Sequence, residues 1–165
     1  MRKLIILLLF FNPILLSAQE NNLNIESHWI SITKQNGKYV LYEPCDAEIS
    51  QIVIDKGNHE MIMHYGQENE VFKILASKHI SVNELDLTIL YTVFEKPRTT
   101  MVKVQFLDLS KRIARWSFTL SDDDGSTIPN EYIMVPMQKS KNYKVVKEPM
   151  RDCWPTDEND TTRTK

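Results

Sequence analysis

The stretch from Leu87 to Leu120 leaves the chain few choices of fold. It reads LTILYTVF, EKPRTT, MVKVQFLD, LSKR and IARWSFTL: three eight-residue runs rich in β-branched and aromatic side chains, parted by two short polar connections. In the second run Val102, Val104 and Phe106 share one face and Lys103 and Gln105 the other. In the third, Ala114, Trp116, Phe118 and Leu120 oppose Arg115, Ser117 and Thr119. A period of two across tight connections predicts an antiparallel meander with one buried and one wet face.

The flanking sequence extends the same pattern. Trp29 to Tyr42 carries Asn36-Gly37 between two alternating runs, the strongest short-range signal for a hairpin. Ile49–Ile54, Glu60–Tyr65 and Val71–Ala76 follow as strand candidates, separated by polar turns at Asp55–Asn58 and Gly66–Asn69. Lys78–Asp86 reads as a loop or a single helical turn. After the meander, Asp122–Gly125 marks a tight turn, and Tyr132–Val135 and Tyr143–Val146 are short strands. The expected class is all-β with 8–10 strands, the meander closing into a barrel, with a β-sandwich as the alternative.

The ends read differently. Residues 1–19 have Arg2 and Lys3, an apolar run from Leu4 to Leu16 interrupted by Asn12 and Pro13, and then Ser17 and Ala18. That is the layout of a cleaved secretory signal peptide, and the run is too short for the roughly 20 residues that span a bilayer. Cleavage after Ala18 or Gln19 would deliver the chain to the periplasm or beyond, without a membrane anchor. Residues 20–154 form the single expected domain, and 155–165 a disordered polar tail. Cys45 and Cys153 are the only cysteines. In an oxidising compartment they are expected to form a disulfide, closing a loop of about 108 residues and adding up to about 4–5 kcal/mol in the chain-entropy model.

Charge and motifs exclude more than they assign. A formal net charge of −2, made more acidic by loss of a leader holding Arg2 and Lys3, disfavours nucleic acid as a partner. Four glycines and no Gly-rich loop leave no phosphate or dinucleotide fingerprint. His59 and His64 are five apart and would face opposite sides of a strand, so they do not make the zinc-binding helix pair. Met61, Met63, Met101, Met134 and Met137 read as core filling rather than a thioether copper site. The run Asp122–Asp124 lacks the later ligands of a calcium loop, with Ile128 and Pro129 in the way. Ser27-His28 and Ser77/His79 lack a nucleophile elbow, and the acids are too dispersed to nominate a glycosidase pair. No metal, no cofactor and no enzymatic activity are expected.

An exported domain of this size, Trp29 opening the first strand, consecutive hairpins and a Cys after the last strand together resemble the lipocalin-like, or calycin, barrels. The resemblance spans roughly residues 29–154, with Ser27 standing where that family carries a Gly two residues before the Trp. It implies a barrel open at one end and an apolar or amphipathic small-molecule ligand. From the residues themselves, the inward row holding Phe106, Trp116 and Phe118 is bulky enough to fill a small barrel or to line a cavity. Tyr39 and Tyr91 are candidates for its mouth, since a phenol offers an apolar body and a polar tip. The expected function is a non-enzymatic carrier with its ligand near Trp116 and Phe106. The alternative is an envelope protein-binding module of inhibitor or immunity type, with a filled core.

Overall fold

The computed structural model describes residues 23–122 and 124–149. The expected signal segment, Cys153 with its expected bond to Cys45, and the expected polar tail lie outside the described residues. Among those described, no cysteine is free.

Eleven strands form: β1 His28–Ser31, β2 Thr33–Gln35, β3 Lys38–Glu43, β4 Glu48–Asp55, β5 Glu60–Gly66, β6 Glu68–Ser81, β7 Glu84–Val93, β8 Lys96–Asp108, β9 Ile113–Ser121, β10 Thr127–Pro136 and β11 Val145–Lys147. A short 3-10 helix at Met137–Asn142 precedes β11. Strands β4 to β10 run as an up-and-down antiparallel meander, and β1 closes it between β10 and β4. The sheet is therefore a closed eight-stranded barrel, and the sandwich alternative is set aside. The predicted central meander is β7, β8 and β9, paired as Leu87↔Val102 and Val104↔Trp116.

Three expectations need correction. Lys78–Asp86 is neither loop nor helix: β6 and β7 run on through it and turn only at Val82-Asn83, with Lys78↔Asp86 and His79↔Leu85 in register. The polar stretch after Phe94 is likewise strand, so Pro97 lies inside β8 opposite Thr92 and the turn shrinks to Phe94-Glu95. In both cases polar composition belongs to the exposed ends of long hairpins. The first hairpin does turn at Asn36-Gly37, with φ of 49° and 79°. It is built by β2 and β3 outside the barrel, however, while Trp29 belongs to β1 and pairs with Pro136 and Ile52.

The barrel is packed along its axis. Trp29, Ile52, Met61, Leu87, Ile89, Val102, Val104, Ala114, Trp116 and Met134 are all at zero exposure. Eight strands enclose little more than their own inward side chains, and large residues facing in from each strand fill that space. A second, smaller core lies outside the wall, where Ile30, Ile32, Leu41, Ile113 and Val135 are buried beneath the β2–β3 hairpin, with Met137 and Tyr143 packed alongside. β11 pairs in parallel with β3 and completes that cover.

One barrel end is shut by the segment leading into β1. Leu23 and Ile25 are buried against the main core, and the Ser27 carbonyl accepts from the Ile54 amide at 2.7 Å. Trp29 Nε1 donates to the Glu26 carbonyl at 2.8 Å. Arg112, from the β8–β9 turn, donates Nε to Glu26 Oε1 at 2.7 Å and a second nitrogen to Oε2, while its guanidinium lies 4.5 Å from the centroid of the Phe106 ring. A bidentate pair of this kind fixes direction as well as distance.

Burial raises the Glu26 pKa, but the Arg112 bonds, a backbone bond and the Arg112 and Lys139 charges outweigh it and hold the carboxyl below its ordinary 4.5. A depressed carboxylate stabilises the fold above its unfolded-state pKa, and that contribution is lost as pH falls through the folded value. Glu26→Gln should therefore cost about 1–2 kcal/mol at pH 7. It should also flatten the decline in stability below pH 4.5, as read by urea denaturation at pH 7 and pH 3.

Candidate functional site

The aromatic residues sort into two layers along the barrel axis. Near the shut end Trp29 contacts Trp116 edge-on at 5.5 Å between centroids and Phe106 at 6.1 Å. Toward the other end Phe72 meets Tyr91 and Phe118, each at 6.4 Å, and Phe118 stacks on Tyr132 at 6.4 Å. Offset and edge-to-face geometries at these separations are the favourable ones for ring quadrupoles.

Above the second layer the barrel opens. A cavity of about 250 Å³ lies among β6, β7, β9 and β10, walled by Val71, Phe72, Tyr91, Val93, Leu120 and Ile128. Glu70, Thr92, Ser121 and Asp122 add polar atoms, and no basic residue lines it. Phe72 and Tyr91 belong to the aromatic layer as well, so that layer forms part of the cavity's wall.

Polar detail stiffens this mouth. The β8–β9 register runs from Asp108↔Ile113 to Lys103↔Ser117; nearer the mouth, side chains bridge the elements instead. Thr100 Oγ1 donates to the Thr119 carbonyl at 2.8 Å, and the Ser121 amide donates to the Tyr91 hydroxyl at 2.8 Å. Tyr65 is held protonated well above the usual phenol range, first by burial and then by its hydrogen bond to Glu70 and that residue's charge. Tyr132 is raised too, by burial and by Glu70. Two neutral phenols thus surround one carboxylate at this end.

The turn beside the cavity is strained. Phe94 and Glu95 have φ of 45° and 64°, a left-handed pair that two-residue hairpins normally assign to Asn-Gly. For a bulky residue this is an outlier, and such strain is concentrated at functional surfaces. Phe94 is also 75% exposed, and on the cavity wall Val71 and Ile128 are exposed too, at 58% and 52%.

The residues nominated from sequence fall in three places. Trp116 and Phe106 lie in the layer near the shut end, and Trp116 has no exposed surface. Its Nε1 finds no hydrogen-bond partner among the described residues, whereas that of Trp29 does. Phe118 and Tyr91 sit in the mouth-side layer, and only Tyr91 of the five lines the mouth cavity. Tyr39 is outside the barrel, on the second core. Glu70, Val71, Val93 and Ile128 line the cavity without being singled out by the sequence pattern. Their one local signal is apolar residues at strand ends beside short turns, which any hairpin shows. Among the described residues no three His, Cys, Asp or Glu side chains gather as metal ligands. Compared with known proteins, the chain matches no family model, no curated protein and no solved structure.

Replacing Phe94-Glu95 by Asn-Gly should relieve the left-handed strain and stabilise the fold by about 1–2 kcal/mol, measured as a raised urea midpoint with unchanged slope. Tyr91→Phe should act oppositely. It strips the Ser121 amide of its acceptor at a partly buried position, costing about 1–2 kcal/mol, and hydrogen exchange at Ser121 should quicken.

Proposed function

We propose that the chain is an exported, non-enzymatic, lipocalin-like binding protein that takes an apolar or amphipathic small molecule at the barrel mouth. The observation that carries the reading is the mouth cavity itself, apolar-walled and lying over an aromatic layer, while the axis below it is filled. The expected seat near Trp116 and Phe106 therefore moves up to Phe72, Tyr91, Val93, Leu120 and Ile128. At about 250 Å³ the cavity falls just short of the 300–1,000 Å³ of typical small-molecule sites, which suits one end of a ligand rather than the whole. With Glu70 and Asp122 among the lining residues and no lysine or arginine, a neutral or cationic head is accommodated better than a carboxylate. The proposed setting is the periplasm or outside the cell, with the Cys45–Cys153 bond formed there.

A second reading, a protein-binding module, draws on the exposed Val71 and Ile128 of the cavity wall and the exposed Phe94 of the β7–β8 turn, together with the filled interior. Contiguous exposed apolar patches mark contact surfaces.

The two readings part on titration with N-phenyl-1-naphthylamine, an uncharged fluorescent probe, followed by displacement with a long-chain alcohol, amine or fatty acid. The carrier reading expects probe enhancement, displacement by alcohol or amine more readily than by fatty acid, and at least a tenfold loss of affinity in Leu120→Lys. A flat titration, together with a bare mature mass in native mass spectrometry, would reject the carrier and leave the protein-contact reading.

A further inference from the structure

A second concavity, about 760 Å³, lies outside the barrel wall, between the tip of the β2–β3 hairpin, the β8–β9 turn and the 3-10 helix. Its charge is lopsided. Lys34 and Lys38 reach it from the hairpin, Lys111 from the turn and Lys139 from the helix, and Asp108 is the only acid among the lining residues.

Asp108 is already committed. It accepts from the Lys111 amide at 3.0 Å and from Ser110 Oγ at 2.7 Å, and those bonds, with the Lys111 ammonium 3.4 Å away, hold its carboxyl down at about 2. It stays ionised and offsets Lys111 alone. Lys139 donates to the Ser110 carbonyl at 3.1 Å, and the acid its charge acts on, Glu26, is already paired with Arg112. Among the described residues Lys34, Lys38 and Lys139 enter no ion pair, whereas Lys73, Lys103 and Lys147 each face a glutamate across a strand pair. Three ammonium groups outside any described ion pair line one hollow, in a chain with an excess of acids, and focus positive potential there.

The walls are not merely basic. Tyr39 and Tyr143 line the hollow, both half-buried on the second core, with Leu107 and Ile113 beside them. Burial, the Asp108 charge and Tyr39 keep the Tyr143 phenol protonated, so it remains a hydrogen-bond donor. A bare inorganic ion would leave these ring faces uncovered. Lysines are point charges on separate arms, with none of the forked geometry by which an arginine grips a single anionic group, so several spaced lysines suit several spaced charges.

We propose that this cleft binds a small ring-bearing polyanion, a sugar-sized molecule with two phosphate or sulfate esters. Its anionic groups would rest on Lys34, Lys38 and Lys139, and its ring against Tyr39 and Tyr143. The volume lies within the range of small-molecule sites. The site is separate from the barrel mouth, and neither depends on the other.

The test is calorimetric titration of the mature chain, at low ionic strength, with fructose 1,6-bisphosphate, a disulfated disaccharide, inorganic phosphate and inorganic sulfate. At least one of the two ring compounds should bind about tenfold or more tighter than the inorganic ion of its own group, and whether it is the bisphosphate or the disulfate identifies the ester. The double substitution K34Q/K38Q should weaken that binding about tenfold, while K56Q/K78Q, an equal charge change elsewhere on the surface, should leave it within about twofold. All four lysines are exposed, so thermal melts of both variants should match the parent. The proposal is overturned if neither the bisphosphate nor the disulfate binds below about 10 mM, if the inorganic ions bind as tightly, or if K34Q/K38Q weakens binding no more than the control.

Discussion

The barrel closes through a strand of only four residues, His28–Ser31, which must hold β10 on one side and β4 on the other. So short a ladder offers few backbone bonds, and closure depends on what β1 buries. Trp29 supplies that: fully enclosed, wedged against Trp116 and Phe106, with its indole nitrogen tied to the Glu26 carbonyl. Burying one such side chain is worth several kcal/mol, comparable with the whole net stability of a domain this size. The Glu26–Arg112 clamp holds the incoming chain at the angle that aims Trp29 inward. Ile30 on the opposite face of the same strand anchors the second core, so β1 joins the two hydrophobic clusters.

That arrangement divides the molecule into parts with different freedoms. The shut end is fixed by large side chains and a bidentate ion pair, and little there can change without loosening the seam. The mouth is held by lighter devices, a threonine, a tyrosine hydroxyl and a strained two-residue turn, which leave its lining free to vary. The hairpin outside the wall has a third role. It shields Ile32, Ile113 and Val135 from water and, in doing so, raises Lys34 and Lys38 beside the β8–β9 turn. A small all-β domain thus presents one apolar concavity and one basic concavity on unconnected surfaces.

Alternation made the strands legible before any coordinates. The inward rows of β8 and β9 are the ones the sequence pattern indicates, because a period of two has one meaning when one face is dry. Pairing was harder to read. Asn36-Gly37 announces a hairpin, yet nothing local says that Trp29 leaves that hairpin to close a barrel with the far end of the chain. Polar residues at Lys78–Asp86 and Lys96–Thr100 read as connections, since composition cannot separate a loop from an exposed hairpin extension. The mouth cavity was the least legible feature. It draws single residues from β6, β7, β9 and β10, and which of the inward aromatics stand at an opening depends on where the lead-in segment shuts the other end.

The pairing of Trp29 with Pro136 has a consequence for how the molecule comes into being. The first barrel strand has no lasting partner on one side until the tenth has been made, and the hairpin's parallel partner, β11, comes later still. Contacts this remote in sequence are slow to form, because the intervening chain must be gathered before they contribute. A chain threaded through a membrane from its N-terminus would therefore cross without a closed barrel to pull apart. In any such passage, compaction would wait for the last strands to follow.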